Sequence, residues 1–436
     1  MKTTRTSHLS CMALTLAAII FSLAVSAQAQ TEKILYFFPS PGTNGANLAA
    51  PLTLGAGGSL FGTGAGGSTA RGCPTSGCGV VFELVRGTGG TWTEKVLHTF
   101  AGHADGSTPE SSLIFDASGN LYGTAEYAGN TTVCTGGNEP GCGVVFKLSR
   151  SGAGWTETVL YTFTGGTDGG NPVGGLVFDS AGNLYGTTTT AGNVSACGGV
   201  GCGTVFELSP SGSSWTETTL HTFVDNGTDG VVPTGPVTLD ASGNVYGVTL
   251  YGGNPGFGTV FQLAASSGWA ETILHNFTGG TDGWNPNGGL ILDAAGNVYG
   301  STVLGGNPAF CGSDGCGVVF KLSATSSWSE TVLTTAAPFD GEFIVGLTAD
   351  TSGNFYFVGS SGGNNPSCST DEGCGAVTKL SPSTGGHYTA SVLHRFAGFP
   401  DGTEPQAGVT VDAAGNLFGS APGGEAGYGI IYEIRQ

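Results

Sequence analysis

The stretch Asp179-Ser180-Ala181-Gly182-Asn183-Leu184-Tyr185-Gly186-Thr187-Thr188 decides the fold, because it occurs in seven versions along the chain. The equivalent of Gly186 falls at Gly62, Gly123, Gly247, Gly300, Phe357 and Gly419, so the spacing from one to the next runs 61, 63, 61, 53, 57 and 62 residues. A period of this length marks a repeat array, whose units bury their apolar faces against one another.

Around the quoted copy the unit reads as four strands. Residues 174–179 are a short apolar strand, 180–183 a turn and 184–189 a second strand. A Gly- and Cys-bearing loop follows to Gly203, then a third strand at 204–208, a polar turn at 209–214 and a fourth strand at 215–223. Four strands bounded by turn residues are the content of one propeller blade. The ends decide between an open solenoid and a closed ring. Residues 33–38 match the fourth strand of the unit, as at 158–163, whereas 430–434 match the third. The N-terminal strand 33–38 is therefore expected to complete the last blade. The expected fold is an all-β, seven-bladed β-propeller with four-stranded blades and no open edge.

Lys2 and Arg5 precede an apolar run from Met12 to Val25, and Ala27-Gln28-Ala29 closes it with small residues. This reads as a signal peptide over 1–29, leaving 30–436 as one propeller domain. The run is shorter than the roughly 20 residues a membrane helix needs, so no membrane insertion is expected after cleavage. Cleavage removes two of the 12 basic residues and none of the 31 acidic ones, so the mature net charge is −21. Such a surface repels nucleic acid and anionic membrane. Only 10% of residues are charged while glycine numbers 81, which fits tightly turned β structure and argues against long polar helices.

The repeated residues divide by role. Asp116, Asp179, Asp240, Asp293, Asp350 and Asp412 each stand three residues before a glycine, where a short carboxylate accepts backbone N–H bonds while the glycine takes positive φ. The glycine ending the second strand is expected to admit a large side chain from a neighbouring blade, with Phe82, Phe146, Phe206, Phe261 and Phe320 as fillers. The sixth blade carries Phe357 in place of that glycine and Thr378 in place of the phenylalanine, so volume has moved between positions. His98, His221, His275 and His394 share one position of the fourth strand, with Tyr161 in the same column. Histidine repeated around the outside of a ring reads as structural. Trp92, Trp155, Trp215, Trp269 and Trp328, which open that strand, read as covers for blade faces.

Ten cysteines follow the signal, all between second and third strands: Cys73 with Cys78, Cys134 with Cys142, Cys197 with Cys202, Cys311 with Cys316 and Cys368 with Cys374. An even count with strictly local spacing predicts five disulfides; zinc would need pairs converging from separate blades. The two repeats without cysteine have the shortest loops, 252–258 and 423–429.

Candidate ligand-binding residues lie in the connections between blades. Asp168, Asp229 and Asp282 open Asp-Gly turns that run to a proline, and Asp105, Asp340, Asp401 and Asn44 are their variants. These connections and the Cys-bearing loops are expected to emerge on one face. The plain reading is a rigid turn capped by its own aspartate. The sharper reading is a ring of carboxylates that binds a hydroxyl-rich ligand or a hard cation such as calcium; no motif requires a cofactor. Glu342 and Glu404 are off-pattern additions, as are Glu110 and the pair Asp371-Glu372. Two of them across the mouth would be needed for glycoside hydrolysis, and nothing separates an acid from a base.

The sequences Gly-Asn-Leu-Tyr-Gly-Thr-Thr at 182–188, Gly-Cys-Gly-Thr-Val-Phe-Glu-Leu at 201–208 and Thr-Asp-Gly-X-Asn-Pro at 167–172 and 281–286, with outer strands like that at 158–163, resemble the GloVer tandem repeat family of bacterial surface and secreted proteins. The resemblance spans the mature chain. It implies an exported repeat protein with varied C-terminal anchors and no established activity. Here the chain stops at Gln436, after a propeller strand, so release from the cell is expected rather than tethering. The reading is a secreted, monomeric binding or scaffold module for a glycan or a cell-envelope partner. A carbohydrate-active hydrolase and a purely structural envelope protein are the alternatives.

Overall fold

The computed structural model describes residues 32–39, 45–67, 73, 77–134, 140–152, 154–368, 373–423 and 428–436. The leader-like run and Asn44, Asp371 and Glu372 lie outside these residues. Within them the chain forms seven antiparallel sheets around a common axis, six built inner to outer from strands in chain order and the last with the N-terminal strand outermost. Blade three, around the quoted stretch, comprises Val177–Phe178, Leu184–Thr188, Thr204–Ser211 and Ser214–Thr222. In blades four and five the inner strand is broken into two segments, Gly230–Pro233 with Thr238–Leu239 and Trp284–Pro286 with Ile291–Leu292. Both segments of each pair with the second strand.

The ring closes as the terminal offset requires. Strand Glu32–Phe37 pairs antiparallel with Ile430–Ile434, placing Glu32 opposite Ile434 and Phe37 opposite Ile430. The inner strands meet as well: the Thr410 hydroxyl of blade seven donates to the Leu52 carbonyl of blade one, as Thr348 does to Val409 one junction earlier. The N-terminal strand thus covers the third strand of the last blade and becomes its outer strand, as the fourth strand does in the other blades.

The recurring aspartate is a turn organiser. Asp179 Oδ1 accepts the N–H of Ala181 at 2.8 Å and of Asn183 at 2.9 Å, and its Oδ2 takes the Asn183 amide at 2.8 Å. Gly182 has φ +89°, the left-handed conformation that a side chain would strain. At the equivalent Asp240, burial pushes the carboxyl up, but the Asn244 side chain and turn N–H groups outweigh it and hold it below the usual range.

The filling of the second-strand glycine differs from expectation. Gly186 stands directly opposite Phe206 on the adjacent strand of its own blade, and a Cβ on Gly186 would lie 2.6 Å from Phe206 Cζ. The filler belongs to the same blade because cross-strand partners share a face of the pleat. The neighbouring blade contributes a second ring, Phe163, which closes its outer strand and meets Phe206 edge-on at 5.2 Å. The same ring-to-ring contact recurs at Phe38 with Phe82, Phe100 with Phe146, Phe223 with Phe261, Phe277 with Phe320 and Phe396 with Tyr432. At the junction of blades five and six the first partner is Ala336, and Phe357 stands opposite Thr378. The tryptophans span blades too: Trp215, Trp269 and Trp328 lie on Tyr122, Tyr185 and Tyr246 of the preceding blade.

All five disulfides form within their own loops, with Cα separations of 5.2–5.7 Å. In blade four, which has none, Phe257 takes the place of the second cysteine. A Cβ on Gly279 would meet the Phe257 ring at 2.9 Å, as one on Gly102 would meet Cys78 Sγ and one on Gly165 the sulfurs of Cys134 and Cys142. An aromatic ring there fills space that a disulfide fills elsewhere.

Candidate functional site

Two kinds of polar assembly result from this ring, one on the axis and one at the blade junctions. On the axis, each blade presents its inner strand and the residues just before it. One register position supplies Ala49, Glu110, Val173, Thr234, Asn287 and Gln406; in blade six, where the register shifts between Ile344 and Gly346, Val345 faces the axis instead. They line a cavity of about 380 Å³ whose lower wall is built by glycines such as Gly174, Gly235, Gly288 and Gly346. These glycines are needed where inner strands converge: a Cβ on Gly235 would sit 2.4 Å from the Gly288 backbone. Among the described residues Glu110 is the one ionisable side chain of this cavity, and burial pushes its carboxyl above the usual range. Thr234, Asn287, Gln406 and Ser112 add hydroxyls and amides.

The loop-face aspartates do not converge on the axis. Each turns back to the backbone of its own connection, accepting an N–H from the residue that opens it. Asp105 takes that of Ala101, Asp168 of Thr164, Asp229 of Val224, Asp282 of Thr278, Asp340 of Ala337 and Asp401 of Ala397, at 2.5–2.9 Å. Asp168, Asp229 and Asp340 are buried. Glu342 begins the inner strand of blade six, Glu342–Ala349. Glu404 holds a positive φ of 45°, and its carbonyl accepts from the Gln406 amide.

What these aspartates do meet is the histidine column. His98 Nε2 lies 3.5 Å from Asp105, His221 3.5 Å from Asp229, His275 3.6 Å from Asp282 and His394 3.1 Å from Asp401. Tyr161 donates to Asp168 at 2.9 Å in the same arrangement. A third residue comes from the fourth strand of the following blade. Glu271 reaches within 3.7 Å of His221, Glu330 within 3.8 Å of His275, and Glu32 joins His394 and Asp401. Where the ring closes, Tyr36 of blade seven donates to Glu94 of blade one at 3.1 Å. The glutamate column is the element missed in the sequence, although it has a signal there: a glutamate follows two residues after Trp92, Trp155, Trp215, Trp269 and Trp328.

Burial raises these glutamates, since an ionised carboxylate at a blade junction loses water. It pushes Glu330 up to about 8, with the charge of Asp282 adding, and Glu32 to about 7, with Asp401 adding. Glu157 rises to about 7, burial and Asp105 outweighing His98, and Asp340 to about 6, burial outweighing the Ala337 N–H and Arg395. The last two set a pH dependence. Both carboxyls hold protons more tightly folded than unfolded, so their stabilisation is complete below about pH 4. It is lost as pH rises through 6 to 7 and constant above. Glu157→Gln is therefore expected to raise the melting temperature at pH 8 and to leave it nearly unchanged at pH 4. Each group contributes about 1 kcal/mol after solvent screening; thermal melts across pH 4–9 provide the check.

No curated protein matches the chain. Among solved structures, a catalytically inactive virginiamycin B lyase from Staphylococcus aureus with quinupristin superposes with a TM-score of 0.55 at 12% identity, covering 93% of this chain and 99% of that one. The extracellular domain of a hybrid two-component system from B. thetaiotaomicron gives 0.51 at 12% identity, covering 93% of this chain and 43% of that one. At such identities the likeness is one of fold. The family described as the Gloeobacter/Verrucomicrobia repeat matches over residues 17–192, 131–308 and 192–432. Since these overlapping matches run through nearly every blade, the chain belongs to the Gloeobacter/Verrucomicrobia repeat family.

Proposed function

We propose that the protein is an exported binding module whose ligand, a neutral or amine-bearing glycan, sits in the axial cavity against Glu110. The observation that carries this is the cavity wall: all seven blades supply it, and its polar groups are hydroxyls, amides and one raised carboxyl. Such a set suits hydroxyl-rich ligands, with the carboxylate giving one strong charge-assisted bond. Five disulfides fit an oxidising compartment outside the cytosol. Binding is favoured over hydrolysis because glycosidases need two carboxyls about 5–9.5 Å apart, and the described lining offers one. The loop-face aspartates cap their own connections and lie outside this lining.

A panel of neutral and amino-sugar oligosaccharides, screened on an array and titrated calorimetrically, tests this. Glu110→Gln is expected to weaken binding about tenfold or more, the worth of a hydrogen bond to a charged group. Asn287→Ala should weaken it less. Binding that survives both changes, or turnover of the oligosaccharide, would overturn the reading.

A further inference from the structure

We infer that two blade junctions are sites for a divalent transition-metal ion of the zinc class, held by His221, Asp229 and Glu271 between blades three and four and by His275, Asp282 and Glu330 between blades four and five. The ligand atoms of each set all lie within 4.8 Å of one another. Their spacing separates coordination from hydrogen bonding. His221 Nε2 stands 3.5 Å from Asp229 Oδ2 and 3.7 Å from Glu271 Oε1, and His275 Nε2 stands 3.6 Å from Asp282 Oδ2 and 3.8 Å from Glu330 Oε2. These gaps are too long for an N–H···O bond, which spans about 2.7–3.2 Å. An ion with bonds of about 2.0–2.1 Å has tetrahedral corners roughly 3.3–3.5 Å apart, so each set has only to draw in by up to about 0.5 Å to close on one.

The atoms concerned are also without partners. His221 Nε2, His275 Nε2 and Glu271 Oε1 are buried and accept or donate no hydrogen bond, a costly condition that a shared cation relieves. The column is not uniform: Tyr161 to Asp168 at 2.9 Å and His394 to Asp401 at 3.1 Å are ordinary hydrogen bonds, whereas His98 stands 3.5 Å from Asp105 with its Nε2 also unpartnered. What sets the two proposed sites apart from His98 is the third ligand, Glu271 or Glu330, brought within reach among the described residues.

The ligands are held from behind. Asp229 accepts the Val224 and Gly230 N–H groups at 2.9 and 2.7 Å, and Asp282 accepts the Thr278 N–H and hydroxyl at 2.8 and 2.6 Å. The imidazoles are pinned edge-on by Phe223 and Phe277 at 4.6 and 4.7 Å. Outer contacts of this kind orient metal ligands before the ion arrives. One imidazole and two carboxylates, with a fourth position left for water, suit zinc; calcium prefers six to eight oxygens. An ion here ties the outer strand of one blade to that of the next.

The test uses the tag-free, full mature chain, stripped with chelator, with zinc titrated calorimetrically and bound metal counted by mass spectrometry. Two equivalents per chain at micromolar affinity or tighter, and a melting temperature that rises with zinc, are expected. His221→Tyr and His275→Tyr copy the residue already folded at position 161. Each is expected to keep the far-ultraviolet spectrum and remove one equivalent, and the double variant to remove both. Cobalt should give the visible absorption of a tetrahedral N/O site in the parent, about half of it in each single variant and none in the double variant. No binding at micromolar zinc, or a stoichiometry unchanged in the double variant, would overturn the inference.

Discussion

Full reduction of the five disulfides is expected to lower the melting temperature by on the order of 10 °C, while leaving the ring topology assembled at low temperature. Each bridge closes a loop of only five to eight residues. Loop-closure entropy for rings this short is worth about 2 kcal/mol apiece, so five amount to about 10 kcal/mol if they act independently. For a chain of this length the entropy of melting makes about 1 kcal/mol equivalent to roughly 1 °C. Blade four shows how one loop manages without a bridge, since Phe257 fills the space that sulfur fills in blade one. Cys73→Ala with Cys78→Phe is accordingly expected to lose less stability than Cys73→Ala with Cys78→Ala. Calorimetric scans with and without dithiothreitol decide both statements; a reduced protein melting at the same temperature would show that the bridges constrain nothing the folded ring does not already hold.

The architecture was legible because it is written redundantly. Aspartates in six of the seven turns, at Asp116, Asp179, Asp240, Asp293, Asp350 and Asp412, fix the register, and the offset between 33–38 and 430–434 fixes closure. The junction clusters were not legible because each combines residues from two blades. His221 and Glu271 are 50 positions apart, and only pairing of each fourth strand with its own blade brings them face to face. Reading the histidine column and the aspartate turns as separate structural features hid their contact. The axial site was half legible: Glu110 stood out as a departure from the repeat, but its place on the axis follows from inner-strand register. The departures at blade six follow a similar logic. Thr334 of blade five replaces histidine beside Val319, and Ala390 of blade six replaces glutamate opposite Leu380, both at the one junction where the aromatic pair is also lost.

Those departures make the second large effect predictable. Gly186→Phe alone is expected to prevent folding of blade three, because even a Cβ there meets Phe206 Cζ at 2.6 Å and Leu176 Cδ2 at 3.0 Å. Phe206→Thr alone removes a fully buried ring and is expected to cost about 3–5 kcal/mol. Combined, the two changes reproduce the pair Phe357 opposite Thr378 that blade six already folds. They should therefore recover at least about 2 kcal/mol relative to the more damaging single change. The pair is still not the whole exchange. Phe163 of the preceding blade packs on Phe206 at 5.2 Å, whereas its counterpart beside Phe357 is the fully buried Ala336. A phenylalanine introduced at 186 must share with Phe163 a space that blade six reaches only by shrinking that neighbour to alanine. Adding Phe163→Ala to the double variant is thus expected to raise stability further, although the same substitution in the parent should cost about 3–5 kcal/mol. Urea unfolding of the single, double and triple variants measures this reversal of sign. If Phe163→Ala destabilises both backgrounds equally, the three positions do not share one volume, and the irregularity of blade six arose as independent substitutions.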